Sequence, residues 1–172
     1  MERGYIQVYT GNGKGKTTAA IGQAIRAAGH GMHTYIGQFM KGQVYGELLA
    51  LENHPLIEIE QYGDARCLRK EEVTSEHTRQ ARQGLKRAEE KMANGVFDIV
   101  ILDEINVTLW FGILDIDEVL DFLDRRPVNV ELILTGRYAP EAILERADLV
   151  TEMAEVIHYF ANGILARDGI ER

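Results

Sequence analysis

The chain has 172 residues, 45% of them hydrophobic, which suits one packed domain over residues 1–172 and is too short for two ordinary domains. Its formal net charge of −8 argues against nucleic acid as a partner, because an acidic surface repels a phosphate backbone. Cys67 is the one cysteine, which excludes an internal disulfide and a paired-cysteine metal site and suits a reducing compartment. We interpret Cys67 as an ordinary structural thiol.

Targeting features do not stand out in the sequence. The opening residues lack the charged-then-apolar pattern of a signal peptide, and no apolar run approaches the roughly 20 residues of a membrane span. We therefore expect a cytoplasmic protein without a membrane partner.

The first predicted elements are a strand, a glycine-rich loop and a helix. Residues 5–9 read as a short apolar strand, and residues 16–28 read as a helix that ends before two closely spaced glycines. Further strands are predicted at 33–39 and 56–62. The second of these alternates apolar with acidic residues, as an edge strand does.

The middle of the chain continues the alternation of helices and strands. Apolar residues at helical spacing predict a helix over 74–94, and a second helix is predicted at 117–123. The nearly continuous apolar runs at 97–102 and 130–134 are typical of central parallel strands covered on both faces. Past residue 148, short apolar runs favour antiparallel strands or a hairpin at the sheet edge.

This element order predicts the fold class. Alternating strands and helices build right-handed crossovers, so we expect an α/β protein with a three-layer α/β/α architecture. The central sheet is expected to be mostly parallel, with a possible antiparallel edge near the carboxyl terminus.

The loop TGNGKGKTT resembles the phosphate-binding template G-x-x-x-x-G-K-[ST]. Gly15, Lys16 and Thr17 match its end, whereas Thr10 stands where its first glycine would be. Glycines let backbone N–H groups turn toward an anion, and the helix amino terminus and Lys16 add positive charge at the same place. The Thr17 hydroxyl is a candidate Mg²⁺ ligand. The loop therefore predicts a nucleoside triphosphate site in a fold of the P-loop NTPase type.

An acidic pair at the end of the apolar strand 97–102 supplies the second half of such a site. A carboxylate of Asp103 or Glu104 can bind Mg²⁺ directly or through water. Neighbouring strand residues point to opposite faces, so we expect one of the two to reach the ion.

Five short motifs in a fixed order carry a family resemblance. They are TGNGKGKTTAA in the loop, QFMKG at 38–42, LDE at 102–104, TGR at 135–137 and GIE at 169–171. Together they resemble the P-loop type of ATP:corrinoid adenosyltransferase. The resemblance implies transfer of the 5′-deoxyadenosyl group of ATP to the Co(I) form of a corrinoid, with release of triphosphate.

The resemblance also implies roles for individual residues. Lys16, Thr17 and Glu104 are the expected catalytic residues, with Thr17 and Glu104 placing Mg²⁺ (or Mn²⁺) and Asp103 as the weaker metal candidate. The residues expected to bind ATP are Thr10, Gly11, Asn12, Gly13, Lys14, Gly15, Lys16, Thr17, Thr18 and Arg137.

The corrinoid side of the site is expected to involve Gln38, Lys41 and Tyr62. Where better-known family members carry an aromatic G-F-T-W segment, this chain reads YGDARCLRKEE, and Tyr62, Trp110 or Phe111 are candidates to substitute. The resemblance further implies an electron-donating reductase or flavoprotein as a partner, and a homodimer.

Two other functions remain open from the residues alone, because a P-loop fold hosts many activities. One is a small phosphotransferase or NTPase that acts on the γ-phosphate. The other is a nucleotide-switched binding protein without turnover.

Overall fold

The computed structural model describes residues 1–64, 66 and 68–172, so the interpretation of Cys67 lies outside the described residues. Its centre is a six-stranded sheet with the order β3-β2-β4-β5-β1-β6. The strands are β1 Ile6–Thr10, β2 Thr34–Phe39, β3 Ile57–Tyr62, β4 Ile99–Asp103, β5 Glu131–Thr135 and β6 Leu149–Glu152. All five strand pairings are parallel, so the carboxyl ends of the strands meet at one edge.

Helices cover both faces of this sheet. They are α1 Lys16–Ala28, α2 Gly46–Leu51, α3 Ser75–Ala93, α4 Ile105–Trp110, α5 Ile116–Asp124 and α6 Glu141–Leu144. Single 3-10 turns occupy Lys70–Glu72 and Tyr159–Asn162. The predicted three-layer α/β/α fold is therefore confirmed.

The central strand β4 shows why three layers form. Its residues Ile99 and Ile101 pack in a core with the small side chains of α1, while Val100 and Leu102 pack in a second core with α3 and α5. Successive strand residues point to opposite faces, so an uninterrupted apolar strand needs a helical layer on each side.

Predicted element boundaries agree with the structure to within about two residues. The helix predicted at 16–28 has these bounds, and the helix predicted at 74–94 spans Ser75–Ala93 with Thr74 at its amino cap. The alternating strand β3 lies at the sheet edge, as its acidic face predicted.

The predicted antiparallel carboxyl-terminal edge is wrong. Strand β6 pairs in parallel with β1, with Gln7 opposite Leu149 and Thr10 opposite Glu152. The chain passes from β5 to β6 through the helix α6. A crossover connection of this kind brings the chain back in the direction of the strand it left, so the two strands run parallel. Local alternation of apolar residues carries no information about strand direction.

The chain beyond β6 does not extend the sheet within the described residues. Met153 and Ala154 instead lie against the glycine loop, where the Met153 carbonyl accepts a 2.7 Å hydrogen bond from the Gly13 amide. Among the described residues, no helix combines the length and the apolar character needed to cross a membrane.

Candidate functional site

The glycine loop connects β1 to α1 and has a backbone that side chains would obstruct. Gly11 and Gly15 have φ values of 94° and 118°, in the left-handed region that favours glycine. A Cβ at Gly13 would lie 2.7 Å from the carbonyl oxygens of Met153 and Ala154. The glycines are therefore required both by the turn and by the close approach of the carboxyl-terminal segment.

Lys16 is the first residue of α1 and curls back over this loop. Its Nζ donates hydrogen bonds of 2.7 Å to the carbonyl oxygens of Gly11 and Gly13, and the residue is 7% exposed. Burial lowers the pKa of Lys16, the positive charge of Arg137 lowers it further, and the Glu104 and Asp103 carboxylates oppose the shift. A positive charge is thus held at the centre of the loop with little water around it.

Asp103 ends β4 and gathers four donors on one carboxylate that is 1% exposed. Its Oδ1 accepts hydrogen bonds from the hydroxyls of Thr17 and Thr135 at 2.9 and 2.6 Å. Its Oδ2 accepts from Lys41 Nζ at 2.7 Å and Gln38 Nε2 at 3.3 Å. Since every donor is in place, this carboxylate is fully satisfied within the protein.

Lys41 is the counter-ion of Asp103. Burial acts to lower the pKa of Lys41, but the attraction of Asp103 and the hydrogen bond to it outweigh burial and raise that pKa. Glu47, at the start of α2, lies 3.9 Å from Lys41 Nζ and adds a second, weaker ion pair. The lysine therefore stays charged at neutral pH.

Glu104 follows Asp103 but has a different environment. Its φ of 62° places a non-glycine residue in the left-handed region. Burial raises the pKa of Glu104, the neighbouring Asp103 raises it further, and Lys41, Lys16 and Arg137 oppose the shift. The two carboxylates therefore differ in role. Asp103 is hydrogen-bonded within the protein, whereas Glu104 faces the cavity.

A cavity of about 810 Å³ lies above the loop at the carboxyl edge of the sheet. The predicted site residues that line it are Gly13, Lys14, Gly15, Lys16, Thr17, Thr18, Lys41, Glu104 and Arg137. Thr10 ends β1 and Gly11 and Asn12 begin the loop, and these three residues do not line the cavity; Gln38 and Asp103 are buried.

Among the described residues, Tyr62 is not one of those that line this cavity. The Tyr62 hydroxyl bonds to Glu60 and lies 3.0 Å from the Tyr35 hydroxyl, on the face covered by α3. Its ring packs against Phe39 and over Gly84 of α3. The predicted contact of Tyr62 with a corrinoid therefore has no support from this geometry.

Some cavity residues escaped the sequence analysis. Glu47 and the carboxyl-terminal residues 169–172 line the cavity, as does His158. The terminal turn is held by Glu171, whose pKa is lowered to about 2 by the Arg167 guanidinium and the Tyr159 hydroxyl. The GIE motif was the available signal for this wall of the cavity, but its residues carry no local pattern that reveals their position.

The donor set suits Mg²⁺ better than a metal held by protein ligands alone. The described residues contain no group of three or more His, Cys, Asp or Glu side chains able to hold a metal ion. Magnesium in nucleotide sites takes one or two protein oxygens and completes its shell with phosphates and water. Thr17 and Glu104 at the cavity provide such oxygens.

Comparison with known proteins identifies the family of this chain. The family described as ATP:corrinoid adenosyltransferase BtuR/CobO/CobP matches this chain over residues 2–172. The chain belongs to this family. The resemblance inferred from the five ordered motifs is therefore confirmed.

Relatives in the ATP:corrinoid adenosyltransferase family match over nearly the whole chain. The corrinoid adenosyltransferase of Escherichia coli (strain K12) is 40% identical, with 99% of this chain and 86% of the relative covered. Corrinoid adenosyltransferase CobA of Salmonella typhimurium (strain LT2) is 38% identical, with 99% and 86% covered. The corrinoid adenosyltransferase of Pseudomonas aeruginosa is 36% identical, with 99% and 84% covered.

Proposed function

We propose that this adenosyltransferase binds ATP with its triphosphate on the glycine loop and transfers the 5′-deoxyadenosyl group to the Co(I) centre of a corrinoid. The family match supports the reaction, which serves cobalamin biosynthesis or salvage. The observation that carries the proposal is the position of Lys16, whose buried charge sits inside the loop that opens into the cavity.

The triphosphate is proposed to replace the internal partners of the loop. Lys16 exchanges its bonds to the Gly11 and Gly13 carbonyls for phosphate oxygens, and the free N–H groups at the start of α1 face the same anion. The residues proposed for ATP are those predicted from the sequence, namely Thr10, Gly11, Asn12, Gly13, Lys14, Gly15, Lys16, Thr17, Thr18 and Arg137.

Thr17 and Glu104 are the proposed metal ligands, with Asp103 behind them. The Thr17 hydroxyl donates a hydrogen bond to Asp103, and its oxygen accepts a long 3.5 Å hydrogen bond from Lys41 Nζ, so one lone pair of the oxygen stays available to a cation in the cavity. Bound Mg²⁺ (or Mn²⁺) would neutralise charge on the triphosphate. Because Asp103 already accepts four hydrogen bonds, we favour Glu104 as the carboxylate that reaches the ion.

Catalysis is proposed to consist of positioning and charge stabilisation. The electron pair of Co(I) forms the cobalt–carbon bond while the bond from C5′ to the phosphate oxygen breaks, so the electrons leave on triphosphate. A nucleophile of this kind needs no protein base. Lys16 and the loop N–H groups stabilise the charge that develops on the leaving oxygen.

The reaction also implies partners. Cobalt must be reduced to Co(I) before transfer, so we propose an electron-donating reductase or flavoprotein that works with this enzyme. A homodimer in the cytoplasm is proposed on the family resemblance.

Single-turnover phosphorus NMR tests the proposal, because the products reveal which bond breaks. Protein, ATP, Mg²⁺ and chemically reduced corrinoid should give intact triphosphate together with a light-sensitive cobalt–carbon product, and no triphosphate should appear without the corrinoid. ADP and orthophosphate with an unaltered corrinoid would instead support the NTPase alternative. ATP binding without any product would support the nucleotide-switched alternative.

A further inference from the structure

We propose that Thr135, the last residue of β5, is a positioning residue that holds the Glu104 carboxylate at the metal side of the cavity. The assignment rests on the proposed function, since it takes Glu104 as the metal ligand. The Thr135 side chain is fully buried and is not among those that line the cavity. It therefore acts through Glu104 rather than on the bound nucleotide.

Glu104 has an unusual backbone conformation at the point where β4 passes into α4. Its φ of 62° lies in the left-handed region, which residues with a Cβ seldom adopt. The register of the sheet pairs Leu102 with Leu134, so the next two residues, Asp103 and Thr135, end their strands side by side. The chain therefore turns out of the sheet at Glu104, directly beside Thr135.

Three hydrogen bonds fix the backbone of Glu104 from both sides. Its amide donates a 3.0 Å hydrogen bond to the Thr135 hydroxyl rather than to a neighbouring strand backbone. Its carbonyl accepts from the Thr108 amide at 3.1 Å and from the Thr108 hydroxyl at 2.9 Å. A strained residue persists when its surroundings over-determine it, and such residues cluster at functional sites. Because both peptide groups are held, the direction of the Cα–Cβ bond of Glu104 is fixed as well.

The Thr135 hydroxyl serves both acidic residues at once. It donates a 2.6 Å hydrogen bond to Asp103 Oδ1 while it accepts from the Glu104 amide. Donation to the carboxylate orients the hydroxyl hydrogen and leaves a lone pair for the amide. Asp103 Oδ1 also accepts from Thr17, the other proposed metal ligand. Thr135 thus links both proposed ligands through one buried network.

The residue after Thr135 keeps this contact closed. Gly136 has a φ of 130°, and a Cβ there would lie 3.0 Å from the Val107 amide nitrogen and 3.1 Å from the Asn106 Cβ. The Gly136 carbonyl accepts a 3.3 Å hydrogen bond from Asn106 Nδ2. The first turn of α4 is therefore packed against the end of β5, which keeps the Thr135 hydroxyl within reach of the Glu104 amide.

Thr135→Val tests the role directly, because valine is close to threonine in size but lacks the hydroxyl. T135V leaves the Glu104 amide without this acceptor, so the carboxylate should lose its fixed direction. Binding of Mn²⁺ to the protein–ATP complex is followed by EPR without corrinoid, with protein in excess over ATP. The Mn²⁺ dissociation constant should rise about tenfold, as when a residue that supports a metal ligand is lost. T135S keeps the hydroxyl and should recover most of the affinity.

Thr34→Val is the matched control. Thr34 is also fully buried in a strand, but it lies at the amino end of β2, and its hydroxyl has no hydrogen-bond partner among the described residues. T34V should keep the wild-type affinity for Mn²⁺. Circular dichroism and thermal melting verify that each variant is folded.

Turnover distinguishes a displaced ligand from a general loss of active protein. At saturating Mg²⁺, T135V should regain a kcat within about threefold of wild type, and the KM for the reduced corrinoid should stay unchanged. A folded T135V whose kcat stays low at every Mg²⁺ concentration would contradict the positioning role.

A double-mutant cycle with E104Q shows whether Thr135 acts through Glu104. In the E104Q background, T135V should raise the Mn²⁺ dissociation constant by less than about twofold, because no carboxylate is left to direct. A tenfold further rise there, or wild-type Mn²⁺ affinity in T135V beside a weakened E104Q, would overturn the positioning role alone. Wild-type Mn²⁺ affinity in E104Q would overturn the proposed metal ligand as well. A wild-type protein that adenosylates no corrinoid would overturn the proposed function, whatever the variants show.

Discussion

The Thr17 hydroxyl donates a 2.9 Å hydrogen bond to Asp103, a residue 86 positions further along the chain. The bond joins the first turn of α1 to the end of β4, and it directs the hydroxyl oxygen toward the cavity. Because Lys41 balances the charge of Asp103, the arrangement is complete before any ligand binds. The phosphate loop and the acidic strand end are therefore preorganised as one unit.

Lys16→Ala should abolish ATP use without unfolding the protein. The Lys16 ammonium contacts only loop carbonyls among the described hydrogen-bond partners, so its loss leaves both cores intact. We expect adenosylation to fall at least about 100-fold, as for removal of one preorganised charge-stabilising group. Turnover assays with circular dichroism measure both effects, and exposed Lys86→Ala on α3 is the control. Wild-type turnover in K16A would remove the loop from the mechanism.

Glu104→Gln should raise the Mg²⁺ requirement. The amide keeps the size of the side chain but is a poorer ligand for a hard cation. Titration of Mg²⁺ at fixed ATP should show a midpoint about tenfold higher or more. Exposed Glu145→Gln removes the same charge outside the cavity and should leave the midpoint unchanged. Equal midpoints for E104Q and wild type would exclude Glu104 as the metal ligand.

Asp103 and Lys41 should show energetic coupling in a double-mutant cycle. D103N leaves Lys41 with only its weaker partner Glu47, and K41M leaves the buried Asp103 carboxylate without its counter-ion, so each should lower the free energy of unfolding by about 3–5 kcal/mol. The double variant D103N/K41M should lose less than the sum by at least about 1 kcal/mol. Urea denaturation without ATP or Mg²⁺ provides the four values. Strict additivity would show that the ion pair does not contribute.

Glu104 should make stability depend on pH in the metal-free protein. Its pKa is raised in the folded state by burial and by Asp103, so the carboxylate destabilises the fold as it ionises. Below the unfolded pKa of about 4.3 both states are protonated and the cost is absent. As pH rises from there through the folded pKa, wild type should lose stability relative to E104Q. Urea denaturation from pH 4 to 8 in a chelating buffer measures this difference, and a constant difference would contradict the assigned shift.

Two mid-helix glycines should respond in opposite directions to alanine. A Cβ at Gly22 of α1 meets nothing within 4 Å, so Gly22→Ala should stabilise by about 0.5–1 kcal/mol through lower backbone entropy in the unfolded chain. A Cβ at Gly84 of α3 would lie 2.7 Å from the Tyr62 ring, so Gly84→Ala should destabilise by about 1–3 kcal/mol. Chemical denaturation compares the pair. A stabilised G84A would show that the Tyr62 ring is free to move.

The sequence by itself determined the longer helices, the strand positions, the phosphate loop and the family, but it did not predict the short helices α2, α4 and α6. Apolar periodicity is a local property of the sequence. It located α1, α3 and the buried strand β4 because packing on both faces of the sheet requires apolar residues at these spacings. The glycine loop was also recognisable from the sequence. Its left-handed backbone and its close approach to another backbone segment admit few residues other than glycine.

Only the tertiary structure decided the features that the local sequence pattern does not specify. The direction of β6, the four donors on Asp103 and the position of Met153 and Ala154 against the loop all depend on which distant segments meet. The hydrogen bond from the Glu104 amide to Thr135 is of the same kind, because the two residues are 31 positions apart in the chain and meet only where β4 and β5 end side by side. Such long-range contacts arise from chain crossovers, and no local spacing of residue types encodes them.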